Sequence, residues 1–152
     1  MFRGDFSLSL DSKGRMAVPS RYRERLSEIC GGKLVVTISL IERCLAVYPF
    51  PAWQKIEDDL KQLPAFDSKA QAISHLLIGH ATECDLDSHG RFLISQSLRE
   101  FAGLDKSVKM IGQISKFELW DDSAWLSRRD ELLGQVGAML EDPSDALRSL
   151  VL

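Results

Sequence analysis

The chain has 152 residues, of which 45% are apolar and 27% are charged, and this globular composition excludes a disordered chain or a fibrous repeat. The net charge is −3, so composition alone does not favour a nucleic-acid partner. No run of about 18 apolar residues is present to span a membrane, the N-terminus does not resemble a signal peptide, and three cysteines without a Cys-x-x-Cys motif fit a reducing, cytoplasmic compartment.

The first half of the chain predicts a series of strands and helices that begins with a hairpin. In chain order the pattern predicts a strand at 6–10, a turn at 11–14, a strand at 16–18, a helix at 21–29, strands near 34–39 and 44–48, and a helix from about residue 51. Apolar residues alternate with serines between Phe6 and Leu10, which is the period of a half-buried strand. Ser20 is predicted to cap the first helix and Gly31-Gly32 to end it.

A connecting helix and a second, similar series follow. Residues 68–79 predict a helix whose inward face carries four apolar residues, namely Ala70, Ile73, Leu76 and Leu77. The second series comprises strands near 82–86, 91–94, 108–114 and 117–120, and helices near 96–101 and 122–134. These elements together predict an α+β fold. Three tryptophans allow either core packing or a subunit interface: Trp53, Trp120 and Trp125.

The two series are copies of one unit. Ser7–Leu26 aligns with Glu83–Ala102 at a shift of 76 residues, and both segments contain Leu-Asp-Ser-x-Gly-Arg before a short apolar run. Because a unit of roughly 75 residues is near the lower limit for burying an adequate core, and no Gly-, Ser- or Pro-rich linker separates the halves, we expect one pseudo-symmetric domain. The predicted boundaries are 1–66 for the first repeat, 67–80 for the connecting helix, 81–135 for the second repeat and 136–152 for an acidic tail.

Charge is distributed unevenly along the chain. Residues 1–25 contain six basic and three acidic residues, whereas residues 118–152 contain three basic and eight acidic residues. The net charges of these segments are therefore +3 and −5. Such asymmetry is compatible with an anionic partner at the basic end, but charge alone favours a solvated basic helix face with an acidic tail.

The repeated Asp-x-x-Gly-Arg motif allows two interpretations. In the first, Asp11, Gly14, Asp87 and Gly90 only build a turn, in which each aspartate accepts backbone N–H groups and pairs with the arginine that follows. In the second, the basic side chains Lys13, Arg15 and Arg91 project from these loops toward phosphates and base edges, for which the planar guanidinium is well suited.

Two further clusters of potentially reactive residues carry weaker signals. His75, His80 and Cys84 lack the three- or four-residue spacing of metal ligands on one helix, and no fourth ligand is evident. Asp85, Asp87 and His89 resemble an acid–base cluster, but the first repeat does not duplicate the trio. No nucleophile-elbow, phosphate-loop or zinc-protease motif is present. The sequence therefore predicts no metal, no cofactor and no catalytic site.

Several motifs in order resemble the MraZ family, which belongs to the AbrB-like superfamily of transcriptional regulators. They are Met1-Phe2-Arg3-Gly4, Leu10–Arg15, Val18–Arg23, Leu77–Ala81, Asp87–Arg91 and Lys116–Trp120. The resemblance runs essentially from end to end. It implies a tandem, pseudo-symmetric swapped-hairpin β-barrel with flanking helices, in which one chain holds the two halves that AbrB-like proteins build from two chains.

The resemblance also implies a function and its residues. It implies a homo-oligomeric ring in the cytoplasm, associated with the nucleoid, that binds G-rich direct repeats of double-stranded DNA in its own promoter and regulates, usually as a repressor, the division and cell-wall gene cluster. On this basis the expected DNA-binding residues are Arg3, Lys13, Arg15, His89 and Arg91. Lys13 and Arg3 are expected to hold phosphates and Arg15 and Arg91 to read guanines. His89 replaces the lysine of the first loop and carries less charge at neutral pH.

Two other functions remain open. A ring-forming scaffold would bind a partner protein through its apolar helices rather than its basic loops. A small hydrolase would use Asp85, Asp87 and His89. Salt-sensitive binding to G-rich DNA separates the regulator from both alternatives.

Overall fold

The computed structural model describes residues 1–150 and 152, and the helices and strands lie close to their predicted positions. In chain order they are β1 (Asp5–Ser9), β2 (Arg15–Ala17), α1 (Ser20–Cys30), β3 (Lys33–Ile38), β4 (Leu45–Pro49), α2 (Phe50–Lys61), α3 (Ser68–Leu77), β5 (Thr82–Asp85), β6 (Arg91–Leu93), α4 (Gln96–Ala102), β7 (Ser107–Gln113), β8 (Lys116–Asp121) and α5 (Asp122–Glu141). The α+β prediction is thereby confirmed. Among the described residues, no helix is long and apolar enough to cross a membrane.

The chain divides into two compact units, residues 1–122 and residues 123–152. The first unit contains every strand and the helices α1 to α4. The second unit contains α5 beyond its first residue and a short 3-10 turn, Asp145–Leu147. Within α5, Arg128 Nη1 lies 3.0 Å from the carboxylate of Glu131, one turn further along the helix.

Strand pairing in the first unit joins the two repeats. Six strands form one antiparallel sheet in the order β1-β7-β8-β4-β3-β5, and β2 pairs with β6 in a separate two-stranded ribbon. The first strand of each repeat therefore pairs with the third strand of the other repeat, β1 with β7 and β5 with β3. The strand order also reads the same in reverse when each strand is replaced by its counterpart in the other repeat, β1 by β5, β3 by β7 and β4 by β8. Hydrogen bonds in the described chain do not close these strands into a continuous barrel.

A single hydrophobic core is shared by residues of both repeats. Its members include Met16, Leu26, Phe92, Ile94 and Phe117, each no more than 2% exposed. Burial of such side chains is the main stabilising contribution, at about 1.5–3 kcal/mol for each large aliphatic or aromatic group. The ribbon contributes one face to this core, and that face fixes which of its residues point outward.

Two tryptophans belong to the interior of the first unit. Trp53 on α2 is 2% exposed and Trp120 on β8 is 4% exposed, so core packing accounts for both. The Trp53 ring lies 5.6 Å from that of Tyr48, and its indole N–H donates to Glu57.

Three local predictions are wrong. The last helix, α5, ends at Glu141 rather than near residue 134. Helix α1 begins at Ser20 itself, with Pro19 at the N-cap and no side-chain cap, because the extended backbone of Pro19 places Ser20 already inside the first turn. On α3, Ile73 and Leu76 are 41% and 47% exposed rather than inward. The reason is that α3 meets the sheet through its last turn, where the hydroxyl of buried Thr37 donates to the Leu77 carbonyl at 2.7 Å.

Candidate nucleic-acid interface

The first Asp-x-x-Gly-Arg loop is organised by the carboxylate of Asp11. This carboxylate accepts the backbone N–H groups of Lys13 and Arg15, both at 2.9 Å, and the Arg15 Nε–H at 2.9 Å. The Gly14 N–H donates to the Asp11 carbonyl at 3.1 Å and closes the turn. The loop therefore holds the Arg15 guanidinium in a fixed direction, while Lys13 extends into solvent.

The second loop has the same geometry. The Asp87 carboxylate accepts the N–H groups of His89 at 2.8 Å and Arg91 at 2.9 Å, and the Arg91 Nε–H at 3.0 Å. The Gly90 N–H donates to the Asp87 carbonyl at 3.0 Å. His89 is exposed, and its Nδ1 lies 3.3 Å from the Ser88 hydroxyl. Since Asp87 is fully engaged by the loop, it is poorly placed to serve as an acid or base with Asp85 and His89.

These hydrogen bonds keep both aspartates ionised. The backbone N–H of Arg15 is the largest cause that lowers the pKa of Asp11, and the Arg15 side chain adds to it. The backbone N–H of Arg91 is the largest cause that lowers the pKa of Asp87, to about 2. Each aspartate engages the Nε–H of its arginine, so the Nη groups are the donors left to meet another acceptor. This geometry builds a turn and also fixes the direction of a guanidinium.

Pairing of β2 with β6 brings the two loops to opposite ends of one short ribbon. Arg15 lies opposite Leu93, and Ala17 lies opposite Arg91. The residues between them, Met16 and Phe92, are 1% and 2% exposed and point into the core. Because side chains alternate along a strand, the other four residues share the outer side. We call this surface the ribbon face, and it consists of Arg15, Ala17, Arg91 and Leu93.

The two arginines of the ribbon face are close neighbours. They are diagonal partners across the strand pair, and such residues lie roughly 7–8 Å apart. The side chains of Arg15 and Arg91 are 33% and 35% exposed. The motifs are separated by 76 residues in sequence, yet the fold places the two arginines on one surface.

Two further arginines support the loops, and sequence reasoning did not assign them this role. Arg23 of α1 donates its Nε–H to the Val18 carbonyl at 2.7 Å and packs over the second loop. A Cβ added to Gly90 would lie 2.5 Å from its Cδ. Arg99 of α4 packs over Gly14 in the same way, at 2.9 Å from such a Cβ.

Each loop is therefore covered by an arginine from the helix of the other repeat. A signal for this role was present in the sequence, because the alignment of the repeats pairs Arg23 with Arg99. The signal was incomplete, since the alignment does not say which loop each helix covers.

Arg3 lies away from the ribbon face. Its N–H and carbonyl both bond the Tyr22 hydroxyl, at 3.3 and 2.8 Å, just before β1 begins. The length of β1, roughly 17 Å for five residues, separates it from Asp11. With Met1, Arg21, Tyr22 and Arg25 it lines a pocket of about 230 Å³. Burial and the charges of Arg25 and Arg3 lower the pKa of the N-terminal amine.

The histidines near α3 form no shared site. His80 Nδ1 lies 2.7 Å from the Leu76 carbonyl, and His75 is exposed on the helix. Within the described ranges, no three His, Cys, Asp or Glu side chains come together as a metal site would require. Burial is the largest cause that raises the pKa of Cys84 to about 12, so its thiol is protonated at neutral pH.

Comparisons with known proteins agree over the whole chain. The sequence model of the family described as "MraZ protein, putative antitoxin-like" matches residues 1–76 and 77–133. A protein of Thioalkalivibrio sulfidiphilus is 51% identical over 152 residues, with both chains fully covered. Proteins of Methylococcus capsulatus and Pseudomonas aeruginosa are 50% and 46% identical, covering 99% and 100% of each chain. All three are named transcriptional regulator MraZ. These matches confirm the resemblance carried by the sequence motifs, and the chain belongs to the MraZ family.

Proposed function

We propose that this protein is a transcriptional regulator that binds double-stranded DNA through the ribbon face and the two loops beside it. The observation that carries the proposal is that one exposed surface holds two arginines, each oriented by an aspartate. A two-stranded β-ribbon fits the major groove of B-DNA, which is about 12 Å wide. Relatives that share half of the sequence are named transcriptional regulators.

The loops divide the work of recognition by chemistry. Arg15 and Arg91 read guanines, because the Nη groups beyond the aspartate suit the O6 and N7 acceptors of the guanine edge. Lys13 holds a backbone phosphate as a mobile point charge, and Arg3 holds a second one at the far end of β1. His89 contributes less charge at neutral pH than Lys13, so the second loop binds DNA more weakly than the first loop does.

The strand exchange supports a finer description of the fold. We infer a tandem swapped-hairpin arrangement of the AbrB-like type, with repeats at 1–66 and 81–135, a connecting helix at 67–80 and an acidic tail at 136–152, whose first residues belong to the last turns of α5. Pairing of β1 with β7 and of β5 with β3 is the exchange that this arrangement requires.

We further infer that copies of the chain form a ring and that the ring represses its target. Direct repeats in DNA match loops that recur around a ring, whereas palindromes match two-fold dimers. Linked loops bind with an avidity roughly 10²–10⁴ above that of one loop. The target we propose is the G-rich repeats in the protein's own promoter, upstream of the division and cell-wall genes, in the nucleoid.

The test is a mobility-shift titration with the promoter DNA upstream of the protein's own gene. The wild type is compared with Arg15→Ala and with Arg148→Ala, a control that removes an arginine 69% exposed in the second unit. We expect Arg15→Ala to weaken binding at least tenfold, Arg148→Ala to bind as the wild type does, and the affinity to fall steeply with salt. Equal retention of the DNA by wild type and Arg15→Ala would refute the proposal.

A matched duplex with a scrambled sequence separates the two possible roles of Arg15. If Arg15→Ala loses affinity equally for both duplexes, Arg15 contacts phosphate alone, because phosphate contacts carry no sequence information. Loss confined to the G-rich duplex would assign it to the guanine edge.

A ring-forming scaffold is the second candidate function. It is favoured by the exposed apolar residues of α3, where Ile73 and Leu76 present a surface that a partner protein would cover. A scaffold predicts assembly that is insensitive to salt, no retention of the promoter DNA, and loss of assembly in Ile73→Asp.

A further inference from the structure

Leu93 is a large apolar side chain held on the outer side of the ribbon. It is 54% exposed, whereas its strand neighbours Phe92 and Ile94 are 2% and 0% exposed. The register places it directly opposite Arg15. The second arginine has an aliphatic partner too, because Ala17 lies directly opposite Arg91. Each arginine of the ribbon face thus has an aliphatic residue directly opposite it on the other strand.

The distance between two such opposite residues is about one and a half times the spacing of successive base pairs in DNA. Residues directly opposite each other in an antiparallel pair have Cβ atoms about 4.5–5.5 Å apart, and successive base pairs of B-DNA are about 3.4 Å apart. With this pair of residues aligned along the DNA axis, Leu93 lies within reach of the base pair next to the guanine that Arg15 meets. In the major groove the C5-methyl of thymine is the apolar group that a base edge presents.

We propose that Leu93 contacts the C5-methyl of a thymine adjacent to the guanine read by Arg15, and that Ala17 makes the equivalent, weaker contact beside Arg91. The proposal rests on the DNA-binding function proposed above and adds a second base to what the ribbon face reads. The Leu93 contact is the stronger of the two, because the Leu93 side chain has three more carbons than that of Ala17 and is exposed, whereas Ala17 is half-buried. Recognition is then a guanine beside a thymine rather than guanine alone.

The test replaces thymine by uracil, which removes only the methyl group and leaves base pairing intact. Full-length wild type and Leu93→Ala are titrated against the promoter duplex upstream of the protein's own gene, made with thymine or with uracil beside the guanine runs. Leu40→Ala is the matched control, because Leu40 is also an exposed leucine, 44%, but follows β3 of the six-stranded sheet and is not part of the ribbon. Arg15→Ala is measured in parallel.

We expect the wild type and Leu40→Ala to bind the uracil duplex with a Kd about fourfold higher than that for the thymine duplex. This factor corresponds to the free energy of removing one apolar methyl group from water. We expect Leu93→Ala to bind thymine and uracil duplexes alike, with the affinity that the wild type has for uracil. Since Leu93 is half-exposed, this variant is expected to keep the wild-type unfolding transition.

Three results overturn the inference and are distinct from failure of the proposed function. Equal binding of both duplexes by the wild type, or undiminished preference for thymine in Leu93→Ala, excludes the methyl contact. A changed oligomeric size of Leu93→Ala without a change in thymine preference assigns Leu93 to a subunit contact instead. If the wild type fails to bind the duplex, or Arg15→Ala binds it equally, the DNA-binding function itself fails.

Discussion

The tight fit of Gly14 beneath Arg99 leads to a measurable stability difference between two glycine-to-alanine variants. Gly14 has φ +83, and a Cβ there would lie 2.9 Å from Arg99 Cζ and 3.0 Å from the Ile94 carbonyl oxygen. Gly31, at the end of α1, has φ +60, but a Cβ there would meet nothing within 4 Å. Both substitutions impose the left-handed conformation on alanine, whereas only Gly14→Ala also crowds a neighbour.

The cost of the left-handed backbone and the cost of crowding can be separated by subtracting the effect of Gly31→Ala from that of Gly14→Ala. The left-handed backbone costs about 1–2 kcal/mol for a residue with a Cβ. The reduced freedom of the unfolded chain offsets about 0.4–1 kcal/mol of that cost. Ile94 donates its N–H to the Gly14 carbonyl at 2.9 Å, which holds the Ile94 backbone in place, and overpacking against its carbonyl adds about 1–3 kcal/mol. We therefore expect Gly31→Ala to lower the free energy of unfolding by about 1 kcal/mol and Gly14→Ala by about 2–4 kcal/mol.

Urea unfolding of both variants, followed by tryptophan fluorescence, measures this difference directly. Gly14→Ala is also expected to weaken binding to the promoter duplex, because the loop that orients Arg15 must shift, whereas Gly31→Ala leaves it in place. Equal destabilisation of the two variants would refute the reasoning, since it would mean that Arg99 and Ile94 move aside at no cost.

Three other outcomes follow from the same structure. Asp87→Asn is expected to weaken DNA binding by a smaller factor than Asp11→Asn, because His89 gives the second loop less charge than Lys13 gives the first. A larger loss of DNA affinity in Asp87→Asn than in Asp11→Asn, measured by mobility shift, would contradict this. The lowered pKa of Asp87, about 2, means that its stabilising effect is fully present above an unfolded pKa of about 3.9 and is lost as the pH falls through 2. The free energy of unfolding of the wild type should therefore converge on that of Asp87→Asn between pH 5 and pH 2. A difference between the two free energies that stays constant or grows over this range would show that the Asp87 carboxylate is not the source of the stabilisation. Burial is the largest cause that raises the pKa of Cys44 to about 12, so at pH 7.5 a thiol reagent should label it at least about tenfold more slowly than half-buried Cys30 in the folded protein; equal rates would contradict the burial.

Local features of the chain were readable without coordinates. The alternation between Phe6 and Leu10 predicted β1, and Gly31 ended α1 in the left-handed conformation expected of it. The Asp-x-x-Gly-Arg loops were readable for the same reason, since each is built from contacts within four residues. The predicted inward face of α3 was wrong, because an apolar pattern says which residues tend to be covered but not whether a neighbouring surface reaches them.

The sequence by itself determined the elements, the duplication, the chemistry of each loop and the family, because these depend on short-range periodicity, turn geometry and the order of motifs. Only the tertiary structure decided that the loops share one ribbon and that Leu93 stands opposite Arg15. It also decided which helix covers which loop, Arg23 over Gly90 and not over Gly14. The physical reason is that these relations depend on pairing between strands about 76 residues apart, whose partners and register follow from burial of Met16 and Phe92 in a common core and not from any local pattern.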